Sequence, residues 1–411
     1  MIRRSGVPPA AVVVLATGVG LALHVGKLPP AVPALTQDWG LTLVQAGFLL
    51  SLVQFAGMVA GLAIGVSADG IGLRRSMLTG LTILTSASVL GGFATSYAVL
   101  LALRALEGVG LLMAAVPAPG LLRRVVPGHQ VTRVLGVWGA YIPFGTGLAF
   151  LIGPWVIQHG TWALWWWLLA ALTAAALVAV RVVVPPDPPR PAVAAGVADT
   201  APAAAGVAAT GAWARVRRTV GSVGPWMGAL AFGVYAAQWM AVIGFLPTVY
   251  VQAGWTGAVG AVLTSVVPWV NVVGNVVAGI LLHRGWRLAG VLGMGFAGQT
   301  LGAFLAFATV TEGAPVARFA GAVIFSMVGG LVPGALFAAA PFFAPDERTI
   351  STTVGMVQQL SSTGQVIGPP VVAALASAAG GFHLTWVACL VCAATGAALS
   401  LVLDHRTRPH T

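Results

Sequence analysis

Long apolar stretches follow one another along the chain and are separated by short polar segments. Each stretch has about 20 residues, the length that a helix needs to cross the hydrocarbon core of a bilayer. The pattern predicts twelve membrane-spanning helices, centred near residues 21, 54, 85, 110, 146, 171, 236, 268, 298, 328, 363 and 392. The first stretch follows two arginines, as a secretory signal would, but its length and the lack of a small-residue cleavage site favour a retained helix. The predicted fold class is an all-α membrane protein.

One segment interrupts this pattern. Residues 182–221 are rich in proline, alanine and glycine over most of their length and lack helical periodicity, as is typical of a flexible linker. Six predicted spans lie on each side of it. We therefore expect an N-terminal six-helix bundle over residues 1–181 and a C-terminal six-helix bundle over residues 222–411.

The two halves also resemble each other in sequence. Matching positions hold Arg104 and Arg318, Gly57 and Asn271, Gly61 and Asn275, LIGP at 151–154 and VIGP at 366–369, and VGKLP at 25–29 and IGFLP at 243–247. A repeat of six spans indicates two pseudo-symmetric bundles, as in many secondary transporters, whose sites lie between the halves near mid-membrane. In the last pair Phe245 replaces Lys27, so the architecture itself does not demand a cation at this position.

The basic charge indicates the orientation of the chain. The net charge is +11, and of the 20 Lys and Arg residues all but Lys27, Arg104 and Arg318 fall on one side of the membrane if both ends are cytoplasmic. This distribution follows the positive-inside rule, so it reports topology and not a nucleic-acid partner. We expect a monomer in the bacterial cytoplasmic (inner) membrane, in contact with lipid and with both termini in the cytoplasm.

Two of these exceptions form part of a candidate site. Lys27 and Arg104 each lie roughly 9 Å below the outer end of their helix, and His24 and Glu107 lie three residues further in on the same faces. Ionisable residues inside a membrane are functional by default, so we expect Lys27 and Arg104 to bind the solute. His24 or Glu107 is expected to carry a coupling proton. Pairing of Arg104 with Glu107, with Lys27 reaching outward, is the structural alternative.

The charges of these groups suggest the solute. With a neutral histidine they sum to one excess positive charge, which a small monoanion would balance. Neutral polar side chains in other spans are further candidates for solute binding, namely Tyr141, Tyr235, Gln238 and Asn275. Hydrogen bonding between helices explains these side chains as well as solute contact does.

The loop between the second and third spans reads GVSADGIGLRR. It resembles the signature loop of the major facilitator superfamily, and the matching residues are Gly65, Asp69, Gly72, Arg74 and Arg75. The resemblance implies a gating role for them, although anchoring of the loop explains them equally. The position after the aspartate, usually basic in the family, is Gly70 in this chain.

Further motifs narrow the resemblance. RALEGVG at 104–110 resembles the fourth-helix motif of the family, whose arginine is tied to proton coupling. WGAYIPFG at 138–145 and QQLSSTGQVIGPP at 358–370 are similar to the cyanate-transporter-like branch. That branch implies small anions or small polar solutes.

We therefore predict a secondary active transporter of a small anionic or polar solute, coupled to protons. A proton-driven exporter of amphipathic compounds or drugs is the alternative. An enzyme is disfavoured because the spans hold no convergent acid–base set. Cys389 and Cys392 lie in the last apolar run without further ligands, so we expect no metal site and no cofactor.

Overall fold

The computed structural model describes residues 7–61, 72–188, 213–346 and 349–407, and every regular element in these ranges is helical. The helices are α1 (Pro9–Gly26), α2 (Val32–Trp39), α3 (Leu43–Ser51), α4 (residues 55–61), α5 (Leu73–Gly91), α6 (Tyr97–Ala115), α7 (Ala118–Val125), α8 (Gly128–Gly139), α9 (Tyr141–His159), α10 (Trp162–Val183), α11 (residues 213–220), α12 (Val223–Gln252), α13 (Gly257–His283), α14 (Leu288–Phe307), α15 (Pro315–Gly329), α16 (Leu331–Phe343), α17 (Ile350–Ala379) and α18 (Thr385–Thr407).

Ten stretches of the described chain are long and apolar enough to cross a membrane. The other two predicted spans are α5 and α17, which have 19 and 30 residues but contain many hydroxyl, amide or basic side chains. Eleven of the twelve predicted centres lie within an α-helix, and the one near residue 54 lies in the 3₁₀ turn Leu52–Gln54 that joins α3 to α4. The predicted all-α membrane fold is therefore confirmed.

The helices begin and end at residues suited to those positions. Thr42 accepts a hydrogen bond from the backbone N–H of Gln45, whose side chain accepts one from the backbone of Thr42, so the pair caps α3. Ser96 caps α6 by accepting a hydrogen bond from the backbone N–H of Val99. Gly40 and Gly380 end α2 and α17 with φ values of 65° and 74°, a left-handed conformation that favours glycine.

The first span is broken near its outer end. Pro29 and Pro30 lack a backbone N–H, and α1 gives way to a short 3₁₀ turn at Pro29–Ala31 before α2 begins. The indole nitrogen of Trp165 donates to the carbonyl oxygen of Lys27 at 3.1 Å. The carbonyl oxygen that the break leaves without a helical partner is therefore hydrogen-bonded by a residue of the first half.

The helices form two bundles. In the first half α1 packs on α9 and α10, and α5 packs on α6 and α10. In the second half α12 packs on α17 and α18, and α14 packs on α15 and α18. The halves meet where α3 lies against α17 and where α9 lies against α13. The fold thus has two bundles with two main contacts between them.

Glycines allow these contacts to be close. A Cβ at Gly147 would lie 2.1 Å from the indole nitrogen of Trp269, which donates to the carbonyl oxygen of Phe144 at 3.0 Å. A Cβ at Gly47 would lie 3.0 Å from the backbone of Pro369. Small residues at helix contacts are a common device for packing in lipid, where no hydrophobic force draws helices together.

The predicted linker is described only at its ends. Residues 184–188 follow α10 and lie against the first bundle, while residues 213–220 form α11. Most of the segment lies outside the described residues, so the predicted domain boundaries stay predictions.

Candidate functional site

A cavity of about 530 Å³ lies between the two bundles. Helices α8 and α9 line it from the first half, and α12, α13, α16 and α17 line it from the second half. Gly136, Gly279 and Gln358 line the cavity and are exposed, and they lie toward the end of the bundle at which α1 begins. We call this end the inner end and the opposite end the outer end. The cavity therefore opens at the inner end.

The outer end is sealed. Every residue from Gly20 to Val32 in the first half is buried, and so is every residue from Gln238 to Thr248 in the second half. These segments cover the outer parts of the first spans of the two bundles. In the described chain the cavity therefore has its opening at the inner end.

A chain of hydrogen bonds runs along the cavity wall. The Asn275 side-chain amide donates to the backbone oxygen and the side-chain oxygen of Asn271, both at 3.0 Å. The Asn271 amide donates in turn to the hydroxyl oxygen of Tyr235 at 3.0 Å and to the backbone oxygen of Ser326 at 2.8 Å. Among the described residues no acceptor pairs with the proton of Tyr235. The wall therefore presents a free hydroxyl donor and, at Asn275, an amide oxygen.

The rest of the lining is mostly apolar and also holds aromatic and amide side chains. Phe232 stacks on Tyr235 with ring centroids 5.8 Å apart and meets Phe337 edge-on at 5.3 Å. Gln365 accepts a hydrogen bond from Gln54 of the first half at 3.0 Å. None of the described residues that line the cavity carries a charge.

The four predicted ionisable residues do come together, but inside the first bundle. Lys27 forms an ion pair with Glu107, and Glu107 also binds the guanidinium of Arg104 at 2.6 Å. All three side chains are buried, as is His24, whose ring nitrogen Nδ1 lies 3.4 Å from the ammonium of Lys27. We call His24, Lys27, Arg104 and Glu107 the charge cluster.

The cluster is held by neighbouring helices. The ammonium of Lys27 donates to the hydroxyl of Ser88 in α5 at 3.0 Å and lies 4.5 Å from the ring centre of Trp166 in α10. Arg104 donates to the backbone oxygen of His24 at 3.1 Å. Its Nη2 atom is buried and has no hydrogen-bond partner among the described residues. The cluster faces α5 and α10 and does not line the cavity.

The other candidates divide between the cavity and its surroundings. Tyr235 and Asn275 line the cavity. Gln238 lies behind the wall and donates to Gln299 of α14 at 2.9 Å. Tyr141 stacks on Trp138 with ring centroids 4.3 Å apart and does not line the cavity.

The signature loop is described only from Gly72 onward, and Gly65 and Asp69 lie outside the described residues. The backbone N–H groups of Arg74 and Arg75, at the start of α5, both donate to the carboxylate of Asp187 at 3.0 Å. Gly72 has φ of 95°, and a Cβ there would lie 2.6 Å from that carboxylate. Glycine at this position therefore allows Asp187 to cap the helix.

Asp187 also binds Arg124. The guanidinium of Arg124 donates to its carboxylate and to the backbone oxygen of Pro185, each at 2.8 Å. Partial burial raises the pKa of Asp187, but the two backbone N–H groups and Arg124 outweigh it, so the pKa lies below its ordinary value. We call Asp187, Arg74, Arg75 and Arg124 the inner clamp.

Sequence reasoning missed Asp187 because its stretch was assigned to the linker. It also missed the apolar part of the cavity wall, since Phe232 and Phe337 look like ordinary membrane-helix residues. The contact of Ser88 with Lys27 could not be predicted either, because serine is frequent at helix contacts in membranes. Among the described residues no group of three or more His, Cys, Asp or Glu side chains is arranged to hold a metal.

Two bundles of membrane-spanning helices around a cavity that opens at one end are an arrangement that many secondary transporters share. Residues 11–363 match the Major Facilitator Superfamily. Because this match covers most of the chain, the chain belongs to that superfamily, a family of transporters and not of enzymes. The predicted family is confirmed.

Known relatives are similar over limited segments. The chain is 30% identical to a niacin transporter of Acinetobacter baylyi over 34% of this chain and 32% of that protein. It is 27% identical to the cyanate transport protein of Escherichia coli over 36% of this chain and 39% of that protein. It is 26% identical to a quinolone resistance protein of Staphylococcus aureus over 32% and 33%. The chain matches between 26% and 39% of the length of such curated relatives.

The fold is shared with solved transporters. The crystal structure of a D-xylose–proton symporter superimposes with a TM-score of 0.74 and 15% identity, covering 96% of each chain. At this identity the likeness concerns the fold alone.

Proposed function

We propose that the protein is a secondary active transporter that moves a small polar or singly anionic solute across the cytoplasmic membrane by alternating access. The observation that carries this proposal is the cavity between the bundles, open at the inner end while α1 and α12 seal the outer end. Rocking of the bundles about the α3–α17 and α9–α13 contacts would close the inner end and open the outer one.

The cavity favours a ring-sized solute that has both apolar surface and hydrogen-bonding groups. Phe232 and Trp239 offer apolar faces, the hydroxyl of Tyr235 offers a donor and the amide of Asn275 offers an acceptor. Niacin, a planar ring with one carboxyl group, is named for one relative, and cyanate, a small monoanion, for another. These names support a small solute with at most one negative charge.

The charge cluster supports the anionic variant of this proposal. It has one excess positive charge, and Nη2 of Arg104 is a buried donor without a partner in the described chain. A monoanion that reached the cluster through an open outer end would balance the excess charge and accept a hydrogen bond from Nη2 of Arg104. Contact of the solute with Lys27 and Arg104, and proton coupling through His24 or Glu107, stay predictions.

Export of amphipathic compounds is the second candidate. The uncharged, aromatic cavity wall favours it, and so does the similarity to the quinolone resistance protein. In this case the solute would bind only at the cavity and would ignore the charge cluster.

Counterflow in proteoliposomes tests these candidates. Nicotinate, cyanate, uncharged nicotinamide and a quinolone would each be offered as labelled solute, with empty liposomes as the control. We expect exchange of nicotinate or cyanate. Nicotinamide has nearly the shape of nicotinate, so the ratio of the two measures the contribution of the negative charge. Exchange of the quinolone alone would favour the exporter, and exchange of none of the four would refute the proposed solute class.

The orientation is tested separately. We propose that both termini and residues 182–221 face the cytoplasm, which the arginine distribution supports. Single cysteines would be introduced in this segment after Cys389 and Cys392 are replaced by serine. A membrane-impermeant maleimide should then label the segment in inverted vesicles and not in intact cells. Labelling from outside would reverse the proposed topology.

A further inference from the structure

Lys27 is the only lysine in the sequence, and every other member of the 20 Lys and Arg residues is arginine. The two residue types differ chemically, because arginine stays charged at any physiological pH whereas a buried lysine can lose its proton. Arginine, whose charge is fixed, occupies every other basic position, including Arg104 within the charge cluster. The one cation with a removable proton lies in the buried charge cluster.

The surroundings of Lys27 match an ammonium group. Its three N–H bonds have three acceptors, namely a carboxylate oxygen of Glu107, the hydroxyl of Ser88 and Nδ1 of His24. Ser88 donates its own proton to the backbone oxygen of Trp166 at 3.1 Å, so its oxygen is free to accept. The face of the Trp166 ring adds a cation–π contact.

His24 is held in the tautomer whose Nδ1 atom accepts a hydrogen bond from Lys27. Thr173 donates its hydroxyl proton to the backbone oxygen of Leu169 at 2.8 Å, so its oxygen must accept from Nε2 of His24 at 2.7 Å. Nε2 therefore carries the histidine proton, and Nδ1 presents its lone pair to Lys27. A neutral amine has only two N–H bonds and would leave one of the three acceptors around it without a donor.

The charge balance of the cluster, in contrast, favours a neutral amine at Lys27. With an ammonium at Lys27 the cluster has one excess positive charge, which is costly to bury. Loss of one proton from Lys27 leaves the neutral Arg104–Glu107 pair. Protonating Glu107 or His24 would instead add positive charge to a cluster that already has an excess. The groups that α5 and α10 contribute, Ser88, Trp166 and Thr173, do not titrate in this range.

We propose that Lys27 is the group that binds and releases the coupling proton. This inference rests on the proposed transport being coupled to protons, and it assigns the coupling proton to Lys27 in place of His24 or Glu107. In the state described, Nζ holds the proton and the sealed outer end keeps it from water. When the outer end opens, water reaches the break in α1 and exchanges one proton with Nζ: release of the proton leaves a neutral amine with its lone pair, and uptake of a proton from that water restores the ammonium. Arg104 and Glu107 remain paired throughout.

A single lysine makes a direct test practical. Protein labelled with ¹⁵N at lysine Nζ and free of lysine-containing tags gives one side-chain signal, whose frequency separates ammonium from amine. In detergent micelles without any solute, we expect this signal to change from ammonium to amine between about pH 6 and about pH 9. An ammonium signal throughout this range would overturn the proposal. A signal that is fixed over pH but moves when nicotinate is added would also overturn it, and would assign Lys27 to the solute.

A transport assay of Lys27→Arg tests the proposal by function, because arginine retains the charge but cannot release a proton. Using nicotinate as the probe, we expect counterflow to persist while accumulation driven by a pH gradient falls at least tenfold. Accumulation equal to that of the unmodified protein would refute the role of Lys27. The magnetic resonance titration needs no solute, so it is independent of the solute class. If Lys27 titrates but the protein exchanges none of the four solutes, this inference is supported and the proposed solute class is refuted.

Discussion

Lys27 and Phe245 occupy equivalent positions in the two halves, and both are buried, with 0% and 1% of their surface exposed. Phe245 packs against Phe382 with ring centroids 5.3 Å apart. The second bundle therefore fills with a ring the place where the first bundle holds an ammonium group. The difference lies in chemistry and not in packing.

Lys27→Phe should consequently insert and fold. The variant leaves the Arg104–Glu107 pair neutral but removes the donor to Ser88, to Nδ1 of His24 and to one carboxylate oxygen of Glu107. A lost hydrogen bond costs about 1 kcal/mol between neutral groups and about 1.5–3 kcal/mol where one partner is charged. We expect counterflow of nicotinate to persist and its dependence on pH to disappear. Uptake in proteoliposomes at a series of pH values measures both.

The result also decides between two roles of Lys27. Loss of counterflow in a folded Lys27→Phe protein would mean that the ammonium contacts the solute, as the sequence pattern predicts. Phe245→Leu is the matched control, since it changes the equivalent place in the other half without altering charge. It should leave the pH dependence intact.

The depth of the charged residues could be predicted from sequence, but the direction in which they point could not. Counting residues from the helix end places Lys27 and Arg104 in one layer, with His24 and Glu107 one turn below. Which neighbour that face meets depends on how α5 and α10 pack, and a single sequence does not specify this. The same limit applies to Tyr235, which lines the cavity, and Gln238, which does not. Three residues turn a helix by about 300° and leave these two side chains only about 60° apart, so the sequence does not show which of them faces the cavity.

The repeat, in contrast, is a feature that sequence predicts well. Matching motifs in the same order indicate two bundles, and Gly57 and Gly61, four residues apart, indicate a close helix contact. Asp187 escaped prediction because its role depends on three segments far apart in the chain. A lone aspartate between prolines gives no sign of the helix that it caps.

Tyr235→Phe tests the cavity wall. The change removes the free hydroxyl donor and keeps the ring that stacks on Phe232. A net hydrogen bond contributes about 0.5–1.5 kcal/mol, so the apparent affinity for an exchanged solute should fall about twofold to tenfold. The concentration dependence of counterflow measures this.

Tyr250→Phe is the control for this prediction. The Tyr250 hydroxyl is buried without a partner among the described residues, near the sealed outer end and outside the cavity lining. Its loss should not change affinity. Equal effects of the two substitutions would show that the Tyr235 hydroxyl does not contact the solute.

Gly57→Ala tests the contact between the halves. A Cβ at Gly57 would lie 2.4 Å from the hydroxyl oxygen of Ser362 in α17. Overpacking of this kind costs about 1–3 kcal/mol, and we expect a lower melting temperature together with slower transport. Melting followed by intrinsic tryptophan fluorescence checks the first of these effects.

Gly290→Ala serves as its control, because no atom lies within 4 Å of the place where its Cβ would be. Alanine also favours a helix more than glycine does, so this variant should be as stable as the unmodified protein or more so. A Gly57→Ala protein with unchanged melting would mean that α4 and α17 are less tightly packed than described.

The inner clamp gives a prediction with a defined pH dependence. Asp187→Asn keeps the size of the side chain but removes the charge that binds the start of α5 and Arg124. Replacing a helix-capping group costs about 0.5–2 kcal/mol, so hydrogen exchange of the Arg74 and Arg75 amides should become about two- to thirtyfold faster. Asp38→Asn, at the outer end where Asp38 binds Trp162, should leave these amides unchanged.

The sign of the pH effect follows from the lowered pKa of Asp187. A carboxylate with a depressed pKa in the folded protein stabilises it fully above the ordinary pKa of about 4, and this stabilisation is lost as the pH falls through the lower folded value. The ratio of exchange rates between variant and unmodified protein should therefore stay constant from about pH 8 to about pH 5 and approach one only below about pH 4. A ratio that changes between about pH 6 and about pH 8 would show that another group controls the start of α5.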